Sequence, residues 1–141
     1  MLWILPLLAL VSPLFLWPAE LYLPVPFLLE EIVKALLVYP LAISEIKFSD
    51  KVKLGVIIGV LFSITESVLY LFNIYQTGSL NTLLTRLLIT TLLHVTTVLI
   101  ILVPTKVSRY WIILGLLMAI LVHYLFNGVI TLLMNYSFIN V

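Results

Sequence analysis

Apolar residues run along this chain in long unbroken stretches, separated by short polar or proline-containing breaks. The stretches do not alternate with period two, so they read as helices and not as the strands of a barrel. Five spans are predicted, over 2–17, 26–44, 52–75, 81–103 and 111–134. Each approaches the length of about 20 residues that crosses a bilayer. The breaks are Pro18 to Pro26, the charged stretch Glu45 to Lys53, Gln76-Thr77-Gly78-Ser79, and the basic linker Thr105 to Arg109. The first stretch holds Pro6 and Pro13 and is expected to be short and kinked. It lacks a basic leading region and a small-residue cleavage site, so it is not read as a cleaved signal peptide. Pro26 is placed to open the second span, and Pro40 to bend it near its far end.

Composition agrees with this pattern. The 141 residues are 64% hydrophobic and 9% charged, with a mean hydropathy of +1.30, whereas a soluble domain carries about 25% charged residues. The expectation is an all-α integral membrane protein, a single domain over 1–141 built as a bundle of about five transmembrane helices. A net charge of +1 with no basic patch points away from nucleic acid. The absence of cysteine excludes disulfides, a thiolate nucleophile and a Cys-based zinc site. Lys47, Lys51 and Lys53 fall in the second-to-third break, and Lys106 and Arg109 in the fourth-to-fifth. In a five-span chain these two breaks share a side, and the positive-inside rule then puts the N-terminus in the cytoplasm. The expected location is a prokaryotic plasma membrane.

Lys34 and Arg86 lie inside predicted spans, as do Glu30, Glu31, Glu66, His94, His123 and Asn127. Ionisable groups in lipid are costly and point to function by default. Counting about 1.5 Å of rise per residue puts Glu30 and Glu31 about 8 Å from the outer surface, Glu66 about 14 Å, Asn127 about 12 Å and His123 about 18 Å. His94 falls near the midplane. Facing matches depth. Gly55, Gly59, Ser63 and Ser67 make a seam of small residues on the third span, suited to close helix approach, with Glu66 and Tyr70 beside it. Arg86, Thr90, His94 and Thr97 form one stripe on the fourth span. Gly115, Ala119, His123, Asn127 and Thr131 form another on the fifth. Three stripes that converge would enclose a polar cavity. A structural ion pair is the plainer account of Glu30, Glu31 and Lys34, because Lys34 lies three and four residues after them on one helix face.

This inventory permits certain chemistries. A Glu in low dielectric can act as general base on water. An imidazole and an amide can stabilise an oxyanion, one such donor contributing about 3 kcal/mol. The set suits peptide hydrolysis inside a membrane, and it equally suits a proton or ion relay. No serine sits in a nucleophile-elbow setting. His94 and His123 lack the H-E-x-x-H spacing of zinc proteases, so no metal and no cofactor is expected.

Glu30-Glu31-Ile32-Val33-Lys34 resembles the E-E-x-x-K motif of the PrsW family of intramembrane proteases. Phe62-Ser63-Ile64-Thr65-Glu66 resembles that family's F-x-x-x-E. His123 to Asn127 resembles the late H-x-x-x-N of the related CAAX-prenyl endopeptidases and bacteriocin-processing proteases, and His94 stands where those families carry a His on the preceding helix. The motifs occur in the expected order, one per span. The resemblance implies a glutamate-dependent intramembrane endopeptidase acting on a membrane-anchored protein, such as an anti-sigma factor. It implies catalytic roles for Glu30, with Glu31 and Glu66 as rivals or supports, and for His94, His123 and Asn127, with Lys34 and Arg86 balancing charge. It extends to the scaffold subunit of γ-secretase, so a non-catalytic scaffold or substrate-binding subunit is the alternative, alongside a zinc-dependent membrane protease.

Overall fold

The computed structural model describes residues 2–74 and 80–139. Five α-helices account for nearly all of them: α1 (Ile4–Glu20), α2 (Pro26–Ile43), α3 (Phe48–Ile74), α4 (Leu80–Leu102) and α5 (Ile112–Ile139). No strand occurs among the described residues. The protein is an all-α membrane protein. Phe48–Leu69, Leu83–Lys106 and Arg109–Ile130 are each long and apolar enough to cross a bilayer. α1 contributes the shorter apolar stretch Ile4–Ala19, and α2 has 18 residues that include three charges.

Local chemistry sets the helix ends. α1 runs through both Pro13 and Pro18, so the turn before α2 is confined to Leu21–Val25. Pro26 takes the first position of α2, where a missing N–H costs nothing. The charged stretch expected as a loop over 45–53 is largely helical. α3 begins at Phe48 and carries Asp50 in its first turn, where a carboxylate favours the exposed N–H groups. Lys51 Nζ donates to the Ala42 carbonyl at 3.1 Å, closing the C-terminus of α2. Between α4 and α5 the chain makes two 3-10 turns, Val103–Lys106 and Arg109–Trp111. Lys106 Nζ lies 5.6 Å from the centre of the Phe48 ring, so both basic connections meet at one end of the bundle.

The helices form a ring in the order α1, α3, α4, α5, α2, with α2 also touching α4 across the middle. α2 and α3 hardly meet, because α1 lies against both. The tightest seam is α3 on α4. A Cβ on Gly59 would lie 2.7 Å from the Val95 Cα, so only glycine lets these backbones come so close. One and two turns on, Ser63 Oγ lies 2.8 Å from Thr91 Oγ1 and Ser67 Oγ 3.3 Å from Thr90 Oγ1. Gly115 plays the same part between α5 and α4, where a Cβ would meet the Ile100 carbonyl at 2.7 Å. The apolar core gathers toward the basic end, where Leu5 and Ala9 of α1 pack with Leu41, Leu54, Ile58, Ile101 and Leu102. The buried charged residues lie in the other half of the bundle.

Candidate active site

The first half of α2 turns three charged side chains inward. Glu31 and Lys34 have no solvent exposure, and Glu30 is 7% exposed. Lys34 Nζ donates to Glu31 Oε1 at 2.7 Å and lies 3.9 Å from Glu30 Oε2. Thr97 of α4 lies 3.4 Å from the same ammonium, its hydroxyl oxygen toward it. The Phe62 ring of α3 closes the remaining side, its centre 4.9 Å away. The ammonium is thus held by ions, a hydroxyl and an aromatic face, which is what a charge removed from water requires.

Two carboxylate–imidazole pairs flank this ammonium. His123 Nδ1 lies 2.6 Å from Glu31 Oε1, so Glu31 gives one oxygen to both Lys34 and His123. An ionised carboxylate only accepts, so the N–H sits on Nδ1 and the lone pair on Nε2 of His123. The second pair joins His94 Nε2 of α4 to Glu66 Oε2 of α3. By the same reasoning His94 keeps its lone pair on Nδ1, and that buried atom has no hydrogen-bond partner among the described residues. The two imidazoles stand edge to face, with ring centres 5.7 Å apart. Phe27 backs His123 at 5.7 Å, and Phe62 backs His94 at 5.2 Å.

Glu30, Glu31, Lys34, Glu66, His94 and His123 therefore come together from four helices in one buried cluster. Arg86 is half-buried on α4, two turns before His94. Asn127, one turn beyond His123, is exposed. The side chains of Tyr70 and Thr131 lie outside the described residues. Three contributors carried no charge or motif weight in the sequence. Phe27 shields His123, Thr97 meets Lys34, and Thr65 ties α3 to α1. Thr97 was visible as part of the α4 stripe. Nothing in sequence distinguishes Phe27 from the other apolar residues around it.

The cluster contains a candidate cation site. One oxygen each from Glu30 and Glu66 and one nitrogen from His94 lie within 4.8 Å of one another. Three protein donors are the number that catalytic zinc sites use, leaving a further position for water.

The sequence model of one protein family, described as PrsW family intramembrane metalloprotease, matches residues 19–141. The chain belongs to the PrsW family. The matched segment takes in every residue of the cluster, so membership in this family of intramembrane proteases and the buried charged site concern the same part of the chain. No curated protein and no solved structure is detectably similar to this PrsW family member.

Proposed function

We propose that this PrsW family protein is an intramembrane endopeptidase that hydrolyses a peptide bond of a membrane-anchored protein, with water activated by a glutamate. The observation that carries this reading is the convergence of two carboxylate–imidazole pairs around one buried ammonium. Glu31 is already committed, since one oxygen serves both Lys34 and His123. Its work is to neutralise Lys34 and to fix the His123 tautomer, leaving Nε2 able to accept a proton. Glu30 and Glu66 are then the carboxylates placed to take a proton from water. The imidazole of His94, bonded to Glu66, keeps that carboxylate oriented and shares its charge. As the tetrahedral intermediate forms, its oxyanion needs a positive or N–H partner. His123, once its Nε2 has taken from the glutamate the proton removed from water, supplies that partner, and Asn127 serves the same oxygen from the exposed side. Return of the proton from His123 to the leaving amine completes the hydrolysis. A single-span protein of the anti-sigma-factor type suits a site buried among helices.

A second reading keeps the reaction and adds a cation. It is favoured by the Glu30, Glu66 and His94 donor set and by the family's description as metalloproteases. Three carboxylates against the Lys34 ammonium and the Arg86 guanidinium leave the formal charge negative, which a bound cation would offset. When bound, such an ion would polarise the scissile carbonyl and acidify water. Glu31, Lys34 and His123 keep the roles given above in either reading.

The test is hydrolysis by purified protein reconstituted in liposomes with a single-span substrate. Glu30→Gln and Glu66→Gln should each lower the rate by about 10²- to 10⁴-fold, the usual share of a general base. Full activity in Glu30→Gln, Glu31→Gln and Glu66→Gln alike would sink the glutamate mechanism, and absence of hydrolysis by the unmodified protein would leave the scaffold alternative standing.

A further inference from the structure

A membrane-embedded substrate must reach the cluster from the side, between two helices. The ring offers one seam where neighbours of the site barely touch. α2, which carries Glu30 and Glu31, and α3, which carries Glu66, are kept apart by α1. The matched family segment begins at residue 19, so it holds the whole site but leaves out α1 except for its last two residues.

α1 is an unusual helix to find packed there. It contains Pro13 and Pro18. Pro13 has no N–H to give the Ala9 carbonyl, so that turn is one backbone bond short. In the same turn the Leu10 carbonyl accepts a hydrogen bond from Thr65 Oγ1 at 2.6 Å. Thr65 is buried and directly precedes Glu66. The α2–α3 cleft therefore already holds an apolar, proline-weakened helix, and the residue next to Glu66 holds one of its backbone carbonyls. A substrate segment needs these same properties, since a regular helix hides its carbonyls in its own hydrogen bonds.

We propose that the cleft between α2 and α3 is the docking surface for the substrate's transmembrane helix, and that α1 is a displaceable occupant of it. Thr65 holds α1 in place through Leu10, and that hydrogen bond is given up when α1 swings out. What holds α1 is the apolar packing of Leu5, Ala9 and Leu16 together with the neutral hydrogen bond from Thr65. This inference rests on the protease reading and adds the route by which substrate arrives.

The chain has no cysteine, so a pair can be introduced cleanly. The experiment joins Leu10→Cys to Thr65→Cys by oxidation or a short bis-maleimide and follows cleavage of a single-span substrate in liposomes. Locking α1 should lower the rate at least tenfold, and reduction of the disulfide should restore it. A locked enzyme as fast as the unlocked one overturns the docking proposal and leaves the protease reading intact. If the double variant is inactive even when reduced, Thr65→Val in the otherwise native chain decides. Loosening α1 should raise the rate at low substrate two- to fivefold, and an unchanged or lower rate overturns the proposal. Absence of hydrolysis by the unmodified protein removes the protease reading and this inference with it.

Discussion

His123 meets Glu31 across 92 residues of chain, with Nδ1 2.6 Å from Oε1. The contact joins α5 to α2 inside the bundle and fixes which nitrogen of the imidazole is free. Glu31 keeps its bond to Lys34 when His123 is removed, so the ring can be replaced without leaving that charge unpaired. His123→Phe retains the ring and its packing against Phe27 but has no nitrogen. Its rate on a single-span substrate should fall by about 10²- to 10⁴-fold, with KM little changed and thermal unfolding in detergent near that of the parent. A rate within threefold of the parent would remove His123 from the proton path.

Lys34 and Glu31 should behave as one unit in stability. Both are wholly buried. Removing one partner of such a pair leaves an uncompensated charge and costs about 3–5 kcal/mol, whereas removing both together is often nearly neutral. Lys34→Met alone should therefore destabilise the protein strongly. Adding Glu31→Gln to it should recover at least half of the loss. Denaturant or thermal unfolding of the two single variants and the double variant measures the coupling, and simple additivity would show that the pair is not energetically linked.

Much of this arrangement was legible because a helix in lipid has few ways to place a polar group. The stripe Arg86, Thr90, His94 and the stripe Gly115, Ala119, His123 could be read from their spacing. The seam Gly55, Gly59, Ser63 and Ser67 could be read as a close helix contact. The partner across each seam could not. Spacing shows which residues share a face, but not that Glu66 pairs with His94 while Glu31 pairs with His123. That choice follows from helix order around the ring, and ring order depends on contacts distant in sequence. Nor does spacing separate Glu30 from Glu31. They stand about 100° apart on α2, and both are nonetheless buried, because α4 and α5 both lie against that helix. The start of α3 at Phe48 was hidden by its charges, which read as loop but belong to a helix N-terminus.

The glycines supply a test that does not depend on activity. A Cβ on Gly59 would lie 2.7 Å from the Val95 Cα and 2.8 Å from the Val95 nitrogen, both backbone atoms that cannot turn aside. Gly128 on α5 has nothing within 4 Å of the same position. Gly59→Ala should force α3 and α4 apart and cost about 1–3 kcal/mol, the usual range for overpacking. Gly128→Ala should be neutral or slightly stabilising, since alanine is the better helix former. Equal unfolding midpoints for the two variants would contradict the close contact of α3 with α4.

The cation site can be separated from the general-base chemistry by measuring binding and rate on the same samples. Glu30, Glu66 and His94 present one donor atom each, all within 4.8 Å, and the buried formal charge around them is negative overall. Zinc titrated into chelator-treated protein should saturate at one ion per chain. Glu66→Gln and His94→Ala should each weaken that binding at least tenfold. His123→Phe should weaken it less, because His123 is not among these three donors. Binding that is unchanged in all three variants would place any ion elsewhere. The rate then tells the two readings apart. If zinc restores hydrolysis lost on chelation, the ion belongs to the enzyme. If the chelated protein is fully active and zinc inhibits it, the same three donors are those the glutamate mechanism needs free.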